Sequence, residues 1–304
     1  MIPIGTLIDT EQSAAVSINQ VRRAKEAGYP SAWATQTFGA DALTLLSAVA
    51  AQVDGISLGT CVVPVYARNP QVMAQQALTV QSVAGSNRLS LGIGLSHQIV
   101  VETLWGYSYD RPARYMTEYL DALLPMLAGE ASAAAGEVVT SITPAALSIS
   151  DAPAPSLLIA ALGPAMLRLA GERADGTVTW MTGIGTIASH VAPKLNEAAA
   201  EAGRPAPRIV VSLPVCITDD PAGTATKIDE QFAIYPNLPS YKAMLDIEGA
   251  ARPSDIALLG SREEVIDGIG RLGEAGASEF IASISGSPEE RRMTFDTLGA
   301  LSSS

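Results

Sequence analysis

The stretch "LGTCVVPVYARNPQVMAQQALTVQSVAGSNRLSLGIG", Leu58 to Gly94, decides the fold. It opens on a β-branched apolar run, breaks at Pro64 and Pro70, and continues as an alanine-rich stretch with helical spacing. It ends on a second apolar run, "RLSLGIG", that alternates and carries two glycines. Two short apolar runs around one helical stretch read as a strand, a crossover helix and a second, parallel strand.

The same unit recurs along the chain. Upstream, "IPIGTLI" at 2–8 is followed by a helix at 12–27, whose Val16, Val21 and Ala24 are expected to face a sheet. "SAWAT" at 31–35 is followed by a helix at 40–52, and "ISLGTCVV" at 56–63 by the helix at 71–84. After the fourth strand (88–94), residues 100–127 read as helix by periodicity, and 130–155, rich in Ala, Ser, Thr and Pro, as a surface excursion. Alternation resumes with "SLLIAA" (156–161), a helix at 165–172, "GTVTW" (176–180), a helix at 186–202 and "RIVVSLPVCIT" (208–218). A second, helical excursion at 219–252 precedes a helix at 261–275, the strand "SEFIASI" (278–284) and a last helix from Pro288. Eight strands, each followed by helix, predict an α/β fold of the (β/α)8 TIM-barrel type, in one domain over 1–304, with insertions after strands 4 and 7. An open doubly wound sheet is the alternative. In a barrel, active sites gather where strands end and the following loops begin.

Composition narrows the function. The 304 residues are 48% apolar and carry a net charge of −12, which opposes nucleic acid and anionic membranes as partners and points to a small-molecule substrate. No apolar run approaches membrane-spanning length, and the N-terminus has neither a basic segment nor a cleavage site. The expectation is a soluble, cytoplasmic protein. Cys61 and Cys216, far apart in apolar surroundings, read as reduced thiols, and with two histidines and no ligand spacing no metal site can be assembled.

The literal G-x-G-x-x-G match, "GIGRLG" at 268–273, lies inside a helix that "SREE" opens, with Ser261 as N-cap and Glu264 as capping-box partner. A dinucleotide fingerprint needs the turn between strand and helix, so these glycines read as helix interior, with Val265, Ile269 and Leu272 as the buried stripe. "GLSHQ", Gly94 to Gln98, begins where strand 4 stops and brings Leu95, Ser96 and His97 to a strand end. Glycines there relieve crowding and let a flat ligand approach the backbone, and a histidine there is either a structural or surface residue or one that donates a proton near neutral pH or hydrogen-bonds a substrate carbonyl. His190, within a helix, reads as packing or surface. "ALGPAM" ends a strand and starts a helix at Gly163-Pro164, a well-made helix start that also leaves free amides for an anion. Gly59, Thr60 and Cys61 are either ordinary strand or a flat wall for an aromatic ring.

Taken together, Leu58 to Gly94, "ALGPAMLRLAGERADG" (161–176) and "LGSREEVIDGIGRLGEAGASEFI" resemble the luciferase-like superfamily of flavin and deazaflavin oxidoreductases. The stretch "GTCVVPVYARNP", Gly59 to Pro70, is most similar to the branch using coenzyme F420, with FMN as the alternative cofactor. The resemblance implies a barrel with the ring at the strand ends, a non-proline cis peptide at Cys61-Val62 behind the ring, and cofactor contacts from Thr60, Cys61, Val62, Leu95, Ser96, Leu162, Gly163, Pro164 and Ala165. It implies His97 near the reactive carbon as the catalytic residue, pocket walls from Gln36, Thr37, Phe38 and Trp180, and a possible homodimer. Related sugar-phosphate dehydrogenases carry an Asp-His pair where this chain has Gln36 and Thr37. Neither residue is a general base, so the expected reaction is hydride transfer from reduced F420 to an activated C=C or an imine. An FMN-dependent monooxygenase and an F420-binding carrier or sensor without turnover are the rival readings.

Overall fold

The computed structural model describes residues 1–85 and 87–302. Eight strands occupy Ile4–Ile8 (β1), Ser31–Ala34 (β2), Ser57–Thr60 (β3), Leu89–Gly94 (β4), Ser156–Ile159 (β5), Gly176–Trp180 (β6), Arg208–Ile217 (β7) and Glu279–Ile284 (β8). They follow one another in one sheet in chain order, β8 neighbours β1, and β6 pairs with β7, so the strand order returns on itself. This is the order of a (β/α)8 barrel, as expected from the alternation. By compactness the chain divides into Met1–Leu7, Arg22–Trp33 and Ala161–Ser304 on one hand, and Ile8–Val21 and Ala34–Ala160 on the other.

In the first unit, β6, β7, β8 and β1 are parallel, with Val210 opposite both Val178 and Glu279, and Phe280 opposite Ile4. Burying Glu279 requires partners. Its carboxylate accepts from Ser31 Oγ at 2.6 Å, Trp33 Nε1 at 2.9 Å and the Arg208 guanidinium at 3.0 Å. The excursion after β7 holds helices Pro221–Gln231 and Pro239–Glu248, and each proline stands at the first helical position, where its missing N–H costs nothing. A short strand, Leu258–Gly260, then pairs with β7. Helix Arg262–Glu274 starts on the predicted capping box, Ser261 with Glu264, and keeps Gly268 and Gly273 in its interior. Val265, Ile269 and Leu272 are its fully buried stripe.

In the second unit, β3, β4 and β5 are parallel, with Leu58 opposite Leu89 and Leu91 opposite Leu157. Two expectations need correction. Helix Ala14–Ala27 buries Val21 and Ala24, but Val16 is 44% exposed. Ser17 takes the inward position one turn before Val21, and its hydroxyl is satisfied by donating to the Asp9 carbonyl. Residues 100–127 are not one helix: a π-helical turn, Val100–Leu104, is separated from helix Pro112–Leu127 by a break. Gly106 and Arg111 have positive φ there, and Pro112 disfavours a helical residue before it, so an apolar period that continues through 105–111 does not make helix.

The excursion after β4 contains an antiparallel hairpin, Ser132–Ala135 with Thr140–Thr143. It is stapled to helix Pro112–Leu127 by Glu118, whose carboxylate accepts from the amides of Val138 at 2.7 Å and Val139 at 2.9 Å and pairs with Arg114. Among the described residues no helix is long and apolar enough to cross a membrane.

Candidate active site

Within residues 34–160 the site residues stand where β3 and β4 end. The ladder pairs Gly59 with Ser90 and resumes with Val63 against Ile93, so residues 60–62 oppose only Leu91 and Gly92. The extra residue makes a β-bulge at Thr60, Cys61 and Val62. The Cys61-Val62 peptide is cis, as the resemblance implied. Thr60 is fully buried and replaces the interrupted ladder with its side chain. Its Oγ1 donates to the Gly92 carbonyl and accepts from the Gly92 amide, each at 2.8 Å. Cys61 N donates to the Ala34 carbonyl at 2.9 Å.

The bulge explains both glycines of "LGIG". A Cβ on Gly92 would run into the Thr60 carbonyl, and one on Gly94 into the Val62 side chain and Ala160. The crowding that these glycines relieve therefore comes from the neighbouring strand's own backbone and side chains. Beyond Gly94, Leu95, Ser96 and His97 are half-buried. Burial lowers the His97 imidazole below its usual pKa, so the ring is mainly neutral at pH 7.

The predicted wall residues differ among themselves. Phe38 is 81% exposed and Thr37 is exposed, whereas Gln36 is half-buried. Gln36 Oε1 accepts from the Ala42 amide and from Arg68, each at 3.2 Å. Arg68, with a side chain only 9% exposed, also pairs with Asp41 and donates to Gln76 Oε1 at 2.9 Å. It thereby fastens the loop after the bulge to helices Ala42–Ala50 and Pro70–Ala84. Its place in "PVYARNP", Pro64 to Pro70, was the available signal, and nothing in the sequence named its partners. Sequence reasoning also missed a tyrosine stack in the same unit. The Tyr66 ring lies 4.0 Å from Tyr115, nearly parallel, and 5.5 Å from Tyr109.

Within residues 161–304, Gly163 is the exposed N-cap of helix Pro164–Arg173, and no atom lies within 4 Å of where a Cβ on Gly163 would stand. Pro164 and Ala165 are exposed beside it, and helix geometry leaves the Ala165 amide outside the helix's own ladder. The Leu162 carbonyl lies 2.7 Å from His190 Nε2, so His190 packs as expected but also holds this turn. Trp180 ends β6 and meets Phe232 and Tyr235 edge-on, at 5.3 and 6.0 Å. A cleft of about 540 Å³ lies among Glu248, Leu258 and helix Arg262–Glu274, and none of the predicted site residues lines it. Both cysteines are free, and burial pushes the Cys216 thiol up to about 11. Among the described residues no cluster of His, Cys, Asp and Glu could hold a metal ion.

The (β/α)8 strand order thus carries a bulged β3, a glycine-bearing β4 and a histidine just beyond it. The chain belongs to the luciferase-like monooxygenase family, whose model it matches over residues 2–290. It is 28% identical over 219 residues to a 5,10-methylenetetrahydromethanopterin reductase of Methanolobus tindarius, covering 69% of this chain and 64% of that protein. Among solved structures it is similar to the coenzyme F420-dependent tetrahydromethanopterin reductase of Methanopyrus kandleri, with a TM-score of 0.75 and 18% identity over 98% of this chain and 97% of that one. It is also similar to the FMN complex of the oxygenating constituent of 3,6-diketocamphane monooxygenase from Pseudomonas putida, with a TM-score of 0.77 and 18% identity over 99% and 96% of the two chains. The two structural likenesses establish the TIM-barrel fold.

Proposed function

We propose that this protein transfers a hydride from reduced coenzyme F420 to a small organic acceptor, an activated C=C or an imine. The observation that carries the proposal is the juxtaposition, within residues 34–160, of the β3 bulge, with Cys61 and Val62 half-buried, and a half-buried histidine three residues beyond the end of β4. Similarity to a methylenetetrahydromethanopterin reductase and to an F420-dependent reductase supports the same chemistry.

The residues present fit such a cofactor. Cys61, Val62, Leu95 and Ser96, all half-buried, offer main chain and small or apolar side chains to a flat ring, and the fully buried Thr60 holds the bulge behind them. The space that a Cβ on Gly163 would fill leaves room for a phosphate at Leu162, Gly163, Pro164 and Ala165, where the free Ala165 amide can donate. When bound, the reduced deazaflavin supplies the hydride.

His97 manages the proton. Burial lowers its pKa, so the imidazolium is the minor form at pH 7, but it is a stronger acid than a free one and gives its ring proton to the acceptor atom left negative. Uptake of one proton from solvent restores the imidazolium. Thr37 and Phe38 are the proposed acceptor contacts, and Gln36, held by Arg68, supports the loop that carries them.

Equilibrium binding with F420 and FMN side by side, followed by turnover with enones and imines, tests the proposal. F420 binding with oxidation of the reduced cofactor by one of these acceptors is expected. Micromolar FMN binding without F420 binding would overturn it in favour of an FMN-dependent monooxygenase, a reading that the diketocamphane enzyme's FMN complex supports. Tight F420 binding without turnover would leave a carrier.

A further inference from the structure

We propose that Tyr109 is a positioning residue for His97, with Glu102 as a second anchor. This deepens the functional reading above and rests on His97 being the residue that meets the acceptor. Ser96, immediately before His97, has φ +62, a left-handed conformation that residues with side chains rarely adopt. Its carbonyl accepts the Tyr109 hydroxyl at 3.2 Å. On the other side, the His97 carbonyl accepts from the amides of Val100 and Val101, each at 2.9 Å, and so starts the π-helical turn. The main chain is thus held immediately before and immediately after the imidazole.

Glu102, on that turn, closes the loop. Its Oε2 accepts from Gln98 Nε2 at 3.0 Å, and its Oε1 accepts from the Tyr109 amide at 3.3 Å. One carboxylate therefore links the residue after His97 to the backbone of the residue that holds Ser96. Tyr109 has a firm backing in turn. Its ring lies 5.5 Å from Tyr66, which is stacked on Tyr115. The residue before Tyr66, Val65, donates its amide to the Gly94 carbonyl at 2.9 Å. The path runs from the end of β4 through Tyr66 and Tyr109 back to Ser96, so the orientation of His97 is set by the same strand end that the bulge shapes. Burial raises the Tyr109 pKa and keeps the phenol a donor.

The chain has two histidines, so the imidazole signals of the ligand-free protein in a two-dimensional proton–carbon spectrum can be assigned with His97→Gln alone. Tyr109→Phe keeps the ring against Tyr66 and removes the hydroxyl. It should shift and broaden the His97 signals while leaving those of His190 in place, and Glu102→Ala should move the same signals. With turnover measured, Tyr109→Phe should lower kcat about ten-fold while leaving KM and the F420 dissociation constant within about two-fold, and should add nothing to His97→Ala. Unmoved His97 signals in Tyr109→Phe would overturn the proposal whether or not F420 binds. Movement of the His190 signals as well would mark a general loss of structure and would also count against it.

Discussion

Thr60 and Gly92 are joined side chain to main chain, with one hydroxyl giving a hydrogen bond to the glycine carbonyl and taking one from its amide, each at 2.8 Å. A threonine thus does the work of a missing ladder residue at the point where β3 bulges away from β4. The groups around it depend on that substitution.

Thr60→Val keeps the shape and leaves a buried carbonyl and a buried amide of Gly92 without their partner. A loss of about 2 kcal/mol in unfolding free energy is expected, since each buried group left unmade costs on the order of 1 kcal/mol or more. Urea denaturation measures it, and an unchanged midpoint would show that the ladder re-forms without the hydroxyl.

Gly92→Ala and Gly163→Ala are a matched pair with opposite expectations. At Gly92 a methyl meets the Thr60 carbonyl, so the melting temperature should fall by several degrees, corresponding to a backbone shift of about 1–3 kcal/mol. At Gly163, where φ is an ordinary −78 and the space is open, stability should hold while affinity for F420 falls. Thermal melts and cofactor fluorescence read the two effects separately.

Glu118 should govern part of the acid stability. Its hydrogen bonds with Arg114 and with the amides of the hairpin lower its pKa from 4.5 to about 2 in the folded protein. The charged form is favoured by folding, so this stabilisation is complete above the unfolded value and is lost as pH falls from about 4.5 through 2. Glu118→Gln should flatten the pH dependence of the urea midpoint in that window. An unaltered slope would place the acid sensitivity elsewhere.

Glu279→Ala should be among the most damaging substitutions away from the site. It leaves Ser31, Trp33 and Arg208 without their shared acceptor, and breaking such a pair costs about 3 kcal/mol or more. If the variant accumulates only as insoluble protein, Trp33→Phe, which removes one donor, should cost about 1 kcal/mol and remain measurable.

His97→Ala should reduce turnover about 100-fold or more, the usual share of a positioned acid, with F420 affinity changed only a few-fold. Steady-state rates beside fluorescence titration check both halves. Unchanged turnover would return His97 to a structural role.

Much of the fold was legible in the residues because hydrophobic period is a local property. The apolar runs and helical stretches located all eight strands, the capping box at Ser261 and Glu264 marked the true start of its helix, and that start took "GIGRLG" out of the nucleotide-binding turn. Local signals failed where local preference and tertiary contact disagree. The apolar period through residues 100–127 hid a break set by backbone at Gly106, Arg111 and Pro112. Residues 130–155 showed no hairpin because the carboxylate that holds it, Glu118, lies on a preceding helix.

The sequence by itself determined the order of strands and helices, the family, and which short segments end strands, because each of these is written within a few neighbouring residues. Only the tertiary structure decided that the glycines of β4 yield to the bulge of β3, that Arg68 holds Gln36, and that Tyr109 reaches Ser96 beside His97. Those pairs lie between 13 and 32 residues apart and involve side chains whose types fit many partners. Packing selects one partner for each, and periodicity cannot.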